Sequence, residues 1–166
     1  MLCMAVQLTS MKGEEFAGKI LAGERDFSRI KLGDYFDLAG YERFNEMNDY
    51  LARENLRENP VILNGSRLIG IRAGGLHLPY TKAEGANLCV ADLSEANLYV
   101  ANLSEANLWG ADLREADLSK AYLSEAKNLE NALNLADARF YETRVTETEK
   151  AIIEKALGSQ RLFIVD

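Results

Sequence analysis

ANLCV ADLSE ANLYV ANLSE ANLWG ADLRE ADLSK AYLSE, residues 86–125 of a 166-residue chain, is one five-residue unit written eight times. Every unit has Ala first and Leu third, and seven of the eight have Asn or Asp second. On an α-helix, five residues turn the chain by about 500°, which scatters successive leucines around the axis. On a flat strand an odd period sends them to alternate faces. A chain that turns a corner once per unit collects every leucine on one side, because each corner resets the facing. Four such sides close a coil of about 20 residues, and stacked coils pair their backbones at about 4.8 Å.

The repeat resembles the pentapeptide-repeat family, whose unit is written A(D/N)LXX. That resemblance implies a mainly β fold, a right-handed four-sided parallel β-helix with capping and flanking α-helices. It also implies that the first and third residues of each unit point inward and the other three outward. Leucine then fills the interior, alanine fits where the corner is crowded, and the short Asn or Asp hydrogen-bonds turn backbone. The inward phase extends backwards through Thr81/Ala83, Leu76/Leu78, Ile71/Ala73, Ser66/Leu68 and Val61/Leu63. Forwards it stumbles at Lys127 to Ala132, with Asn128 at a central position. It resumes two residues out of phase as Leu133/Leu135, Ala138/Phe140 and Thr143/Val145. Upstream, Arg25/Phe27 and Ile30/Leu32 suggest a partial coil.

A solenoid exposes its core at both ends and needs caps. Thr146-Glu-Thr-Glu149 is a capping box leading into Ile152, Ile153, Ala156 and Leu157, so a helix is expected over 147–157. Ser10 is expected to cap an N-terminal helix carrying Phe16, Ile20 and Leu21, ended by Gly23. Phe44, Met47 and Leu51 have helical spacing before Pro60, so a helix over about 42–56 is expected to lie on the solenoid's flank. The termini MLCMAVQL and RLFIVD read as short strands. The organisation is one domain: N-terminal strand and cap helix (1–24), partial coil (25–38), helical insertion (39–60), repeat β-helix (61–147), and C-terminal cap helix and tail strand (147–166).

Apolar residues make up 48% of the chain and charged residues 27%, an ordinary globular composition. No run of apolar residues is long enough for a membrane span or a signal-peptide core. Cys3 and Cys89 form no CxxC pair and read as reduced thiols of a cytoplasmic protein. A net charge of −7 discourages direct nucleic-acid binding.

Nothing in the pattern assembles a catalytic site, a metal site or a cofactor site. His77, the lone histidine, sits one before a central leucine and has no second ligand at metal spacing. Glu95 and Glu115 fall one coil apart, as do Glu105 and Glu125, and form solvated ladders. Ser94, Ser104, Ser119 and Ser124 have no histidine to activate them. An interaction or structural role is expected, with the protein partner unidentified. The family resemblance adds an alternative, a DNA mimic that modulates or protects a type II topoisomerase, as in quinolone resistance. Residues 61–147 hold 12 acidic and 8 basic residues, a net of −4. Duplex DNA of that length, about 20 Å, carries roughly twelve charges, three times as many.

The outward residues after each leucine alternate in chemistry from side to side. One side stacks Ile69, Cys89 and Trp109, with Val90 alongside; the opposite side stacks Pro79 and Tyr99, with Tyr80 and Val100 alongside. Contiguous apolar patches of this kind usually meet something. A homodimer or foreign-protein contact is expected on whichever side the inserted helix leaves bare.

Overall fold

Each unit bends at its fifth residue. Tyr80, Glu95, Val100, Glu105, Glu115 and Lys120 all have φ between 57° and 61°, and Val90 has φ 50°. A turn closed by an i→i+3 bond, such as Ala106 N–H to Leu103 C=O at 3.1 Å, with positive φ at its third residue, is the type II pattern. Gly65, Gly70, Gly75, Gly85 and Gly110 fill the same position freely, whereas the residues with side chains pay roughly 1–2 kcal/mol each.

The second residue supports the corner. Its side-chain oxygen accepts the N–H of the fourth residue, two positions on: Asn87 from Cys89, Asp92 from Ser94, Asn97 from Tyr99, Asn107 from Trp109 and Asp117 from Ser119, all at 2.9–3.2 Å. These are Asx turns. His77 occupies the second position of its unit and cannot play this part. The fourth residue there is Pro79, which has no N–H to satisfy.

The computed structural model describes residues 7–158 and the backbone of residues 164 and 165. Parallel bridges, 20 residues apart from Ile62 to Lys127, sort the coil into four walls. The first wall runs Asp26, Ile62, Lys82, Asn102, Tyr122, Arg144, and the second Lys31, Arg67, Asn87, Asn107, Lys127. The third runs Asp37, Arg72, Asp92, Asp112, Leu133, and the fourth His77, Asn97, Asp117, Arg139. Full coils therefore occupy 61–80, 81–100, 101–120 and 121–142, above a first coil of three walls.

The central leucines Leu103, Leu108, Leu113, Leu118 and Leu123 are at most 1% exposed, and Ala101, Ala106, Ala111, Ala116 and Ala121 are fully buried. Ala73 and Ala83 stand where other units have leucine, and an apolar void of about 40 Å³ runs past them.

Beyond Ala121 the phase slips, though differently from the single bulge expected at Lys127 to Ala132. The bridge spacing grows from 20 to 21 at Asp112–Leu133 and to 22 at Asp117–Arg139, so the slip comes as two single-residue insertions. Each sits in a six-residue unit with a 3₁₀ turn, Leu129–Asn131 and Leu135–Asp137, entered through a left-handed asparagine, Asn128 and Asn134. Leu129 and Leu135 are the inward residues of these units. Leu133, expected inside, is a wall residue and 54% exposed.

Both ends are closed. Strand β1 (Thr9–Ser10) pairs in parallel with β2 (Ile30–Lys31) below the second wall. Ser10 is thus a strand residue and not a helix cap; α1 (Gly13–Leu21) is preceded by Lys12, which makes no side-chain cap. Helix α1 buries Phe16, Ala17 and Ile20 against the first coil. At the other end β3 (Thr143–Arg144) opens the next turn. Helix α3 (Glu147–Leu157) starts from the Thr146/Glu149 capping box and packs on both 3₁₀ turns. Strand β4 (Ile164–Val165) returns to pair in parallel with β3. Residues 1–6 of the expected N-terminal strand lie outside the described residues.

Helix α2 (Phe44–Arg53) is shorter than the expected 42–56, because Glu54 turns extended and lets Leu56 fold back into the core. It does not lie on a flat flank. The fourth wall has no member in the first coil, and α2 stands in that place, with Met47 and Leu51 fully buried and α1 beside it. Arg25 ties the assembly together, donating to the Ile20 and Glu24 carbonyls, to the Tyr50 hydroxyl at 2.9 Å and to Glu54 at 3.3 Å.

Candidate interaction surface

The outward residues flanking each corner stack in columns because the coils stack. Between the second and third walls, Gly70 N–H bonds Cys89 C=O and Val90 N–H bonds Trp109 C=O, which sets Ile69, Cys89 and Trp109 one above another. Val90 lies between Gly70 and Gly110 in the neighbouring column. Tyr35 belongs to this corner too: its N–H bonds Ile69 C=O, and its ring lies so close over Gly70 that a Cβ there would meet it at 2.4 Å. Tyr35 is 68% exposed and Trp109 50%, while Cys89 is a half-buried free thiol.

Between the fourth and first walls, Tyr80 N–H bonds Tyr99 C=O, Val100 N–H bonds Ser119 C=O, and Lys120 N–H bonds Tyr141 C=O. Pro79, Tyr99, Ser119 and Tyr141 form one column, and Tyr80, Val100, Lys120 and Glu142 the next. The Tyr80 and Tyr99 rings meet edge to face, 5.8 Å apart at 87°. The Lys120 ammonium lies 5.8 Å from the Tyr99 ring centre and 3.3 Å from Glu142. Hydrogen bonding to Glu142 and to Tyr99 raises the Lys120 pKa, and hydrogen bonds from Tyr141 and Lys120 lower that of Glu142. Tyr141 is 54% exposed.

The structure thus gathers Ile69, Cys89, Val90 and Trp109 on one corner, and Tyr80, Tyr99 and Val100 on the other. Pro79 shares the second corner but is buried, so it contributes support and not contact surface. Sequence reading missed Tyr35, Lys120, Tyr141 and Glu142. Tyr35 belongs to a six-residue unit and Tyr141 lies beyond two more, so a strict count of five misplaces both. Helix α2, filling the first coil's missing wall, leaves exposed residues on both corners.

The polar walls offer less. Glu95 and Glu115 share a shallow depression with Asn97, Asp117 and Arg139. Among the described residues no three His, Cys, Asp or Glu side chains group as metal ligands. The Ser94 hydroxyl donates to Asp92 at 2.6 Å, and the His77 imidazole meets the Asn97 amide at 3.3 Å. Among the described residues, no helix is long and apolar enough to cross a membrane.

A family model described as pentapeptide repeats (8 copies) matches residues 101–133. No curated protein matches the chain. Among solved structures, HetL, a pentapeptide repeat protein involved in heterocyst differentiation regulation in the cyanobacterium Nostoc, is 25% identical with a TM-score of 0.53. The match covers 81% of this chain and 51% of HetL, so this chain spans about half of HetL's length. A second Nostoc pentapeptide repeat protein is 28% identical over 84% of this chain and 83% of its own, with a TM-score of 0.40. QnrB1, a plasmid-mediated fluoroquinolone resistance protein, is 12% identical over 82% of this chain and 83% of its own, with a TM-score of 0.20, too slight a likeness to support an argument.

Proposed function

We propose that this chain, a pentapeptide-repeat protein by its repeats and its solenoid, is a non-catalytic interaction module. It is read as a right-handed four-sided β-helix whose aromatic corners meet a protein partner, a second copy of the chain being the simplest. The handedness is supported by the likeness to HetL and by the strong right-handed preference of connections between parallel strands. The carrying observation is the corner of Tyr80, Tyr99, Val100, Lys120 and Tyr141, which brings three tyrosines, one each from three of the four full coils, onto one corner with Lys120 between Tyr99 and Tyr141. Rings fixed by stacked backbone lose little entropy on contact, which suits them to an interface. A C2 dimer would pair this corner with itself. The free thiol of Cys89 supports a reducing compartment such as the cytoplasm.

Sedimentation velocity of the wild type beside Tyr99→Glu and Trp109→Glu tests the reading. The wild type is expected to self-associate in the micromolar range, Tyr99→Glu to weaken association more than tenfold, and Trp109→Glu to weaken it less. A wild type monomeric at every concentration removes the second copy. The reading then rests on whether the wild type, and not Tyr99→Glu, retains a foreign protein.

A further inference from the structure

We infer that the void inside the lower coils is a binding site for one apolar guest of one or two heavy atoms, such as xenon or dioxygen. The void is written into the repeat. Every unit from Ala86 to Glu125 has leucine third, whereas two earlier units have Ala73 and Ala83 there. These alanines lie in adjacent coils and on opposite sides, because Arg72 belongs to the third wall and Lys82 to the first. The space that two leucines would fill therefore joins across the axis. Larger first residues, Ile71 and Leu76, reach in from the coil of Ala73 and take back part of it, leaving about 40 Å³.

Chemistry and size select the guest. The lining is apolar throughout, and its one side-chain hydroxyl, that of Thr81, is spent on the Val61 carbonyl at 3.0 Å. A buried water needs two to four polar partners, so this void stays dry. One water occupies about 10–15 Å³, and an apolar cavity of about 150 Å³ admits benzene. At about 40 Å³ the void is too large to be closed by packing and too small for an aromatic ring. A compact apolar guest restores the dispersion contacts that the lining atoms lack across the gap.

The way in is under α1. The walls are closed by backbone bonds between coils, such as Leu63 N–H to Lys82 C=O at 2.6 Å and Leu68 N–H to Asn87 C=O at 2.9 Å. Entry through a wall breaks such bonds. The lower end is closed by Phe16 of α1, which lines the void and packs on the coil through apolar side chains. Lifting that contact opens a path without breaking a bond between coils. The site lies inside the coil and does not depend on the aromatic corners.

The test titrates the full chain with xenon under pressure and follows methyl resonances by nuclear magnetic resonance. The Ala83 and Leu103 methyls, which line the void, should shift and saturate, while those of Leu118 and Leu123, which do not, stay in place. Ala83→Val, which adds two carbons to the void, should lose the saturable shift. Leu103→Ala, which enlarges it, should reach half-saturation at a lower pressure than the wild type. Ile20→Ala, which loosens α1 without touching the void, should speed xenon exchange. Absence of a saturable shift at Ala83 and Leu103, or equal shifts at Leu118 and Leu123, overturns the inference. So does a shift that survives unchanged in Ala83→Val. If that variant does not fold, an unchanged or higher half-saturating pressure in Leu103→Ala overturns it instead. Unchanged exchange in Ile20→Ala overturns the route under α1.

Discussion

Truncating Leu103 to alanine probes both the inward phase and the void beside it. Leu103 is 1% exposed and stands between Ala83 below and Leu123 above, because Lys82, Asn102 and Tyr122 are stacked in the first wall. Removing three carbons forfeits about 2.4 kcal/mol of transfer free energy. The space left opens onto the void of about 40 Å³ that Leu103 and Ala83 already line, so it collapses poorly. At about 24 cal/mol per Å³, every 40 Å³ kept open adds roughly 1 kcal/mol. The expected loss is about 4 kcal/mol, near the upper end for such a change. Leu118→Ala, between Leu98 and Phe140 in the fourth wall and away from the void, should lose about 3 kcal/mol by the same reasoning. Ser104→Ala, one residue from Leu103 but on the outer face, should change stability by less than about 0.5 kcal/mol. Urea unfolding monitored by far-ultraviolet dichroism measures all three. Equal losses at Leu103 and Ser104 would refute the phase; a loss at Leu118 as large as that at Leu103 would refute the role of the void.

Three further predictions rest on single contacts. Gly85→Ala and Gly70→Ala both place a side chain at positive φ, but only the second strikes a ring, that of Tyr35, so Gly70→Ala should cost more. Thermal unfolding should show the difference vanish in a Tyr35→Ala background. Arg25→Met removes the clasp between α1, α2 and the first coil and should cost about 2–4 kcal/mol, with faster amide exchange in both helices and none in Leu108 to Leu123. Burial lowers the His77 pKa below its ordinary 6.5, so its contribution is complete above that value and lost as pH falls through the folded value. Stability measured from pH 7 to pH 5 should therefore fall more steeply for the wild type than for His77→Gln.

The coil was legible because its rule is local. An alanine, a leucine and an Asx at fixed offsets each have one place in a stacked corner, so residues 61–125 could be assigned wall by wall. Legibility ended where the rule is met by other means. Leu133 looks like a core residue to a count of five and is a wall residue, since a left-handed Asn128 and a 3₁₀ turn add a residue without disturbing the stack. Helix α2 could be recognised from Phe44, Met47 and Leu51, but not its place, because that depends on a missing wall visible only once the first coil is closed. The aromatic corners were half legible: Tyr80, Tyr99 and Trp109 fall in clean units, whereas Tyr35 and Tyr141 do not. Asn48, whose side chain accepts the His77 N–H and donates to Gly75 C=O, carried no signal at all, being one of several polar residues on the helix.

The six-residue units have a consequence for how such a chain can change over generations. In an ordinary strand, inserting one residue turns every later side chain to the wrong face, so a single-codon insertion is ruinous. Here the corner between walls absorbs the extra residue, and Ala138, Phe140, Thr143 and Val145 still face inward beyond two such insertions. Single codons can therefore be gained at corners without a compensating loss elsewhere. Lineages of this protein should differ in length by ones at the corners and by twenties where a whole turn is copied, and hardly ever by an insertion inside a wall.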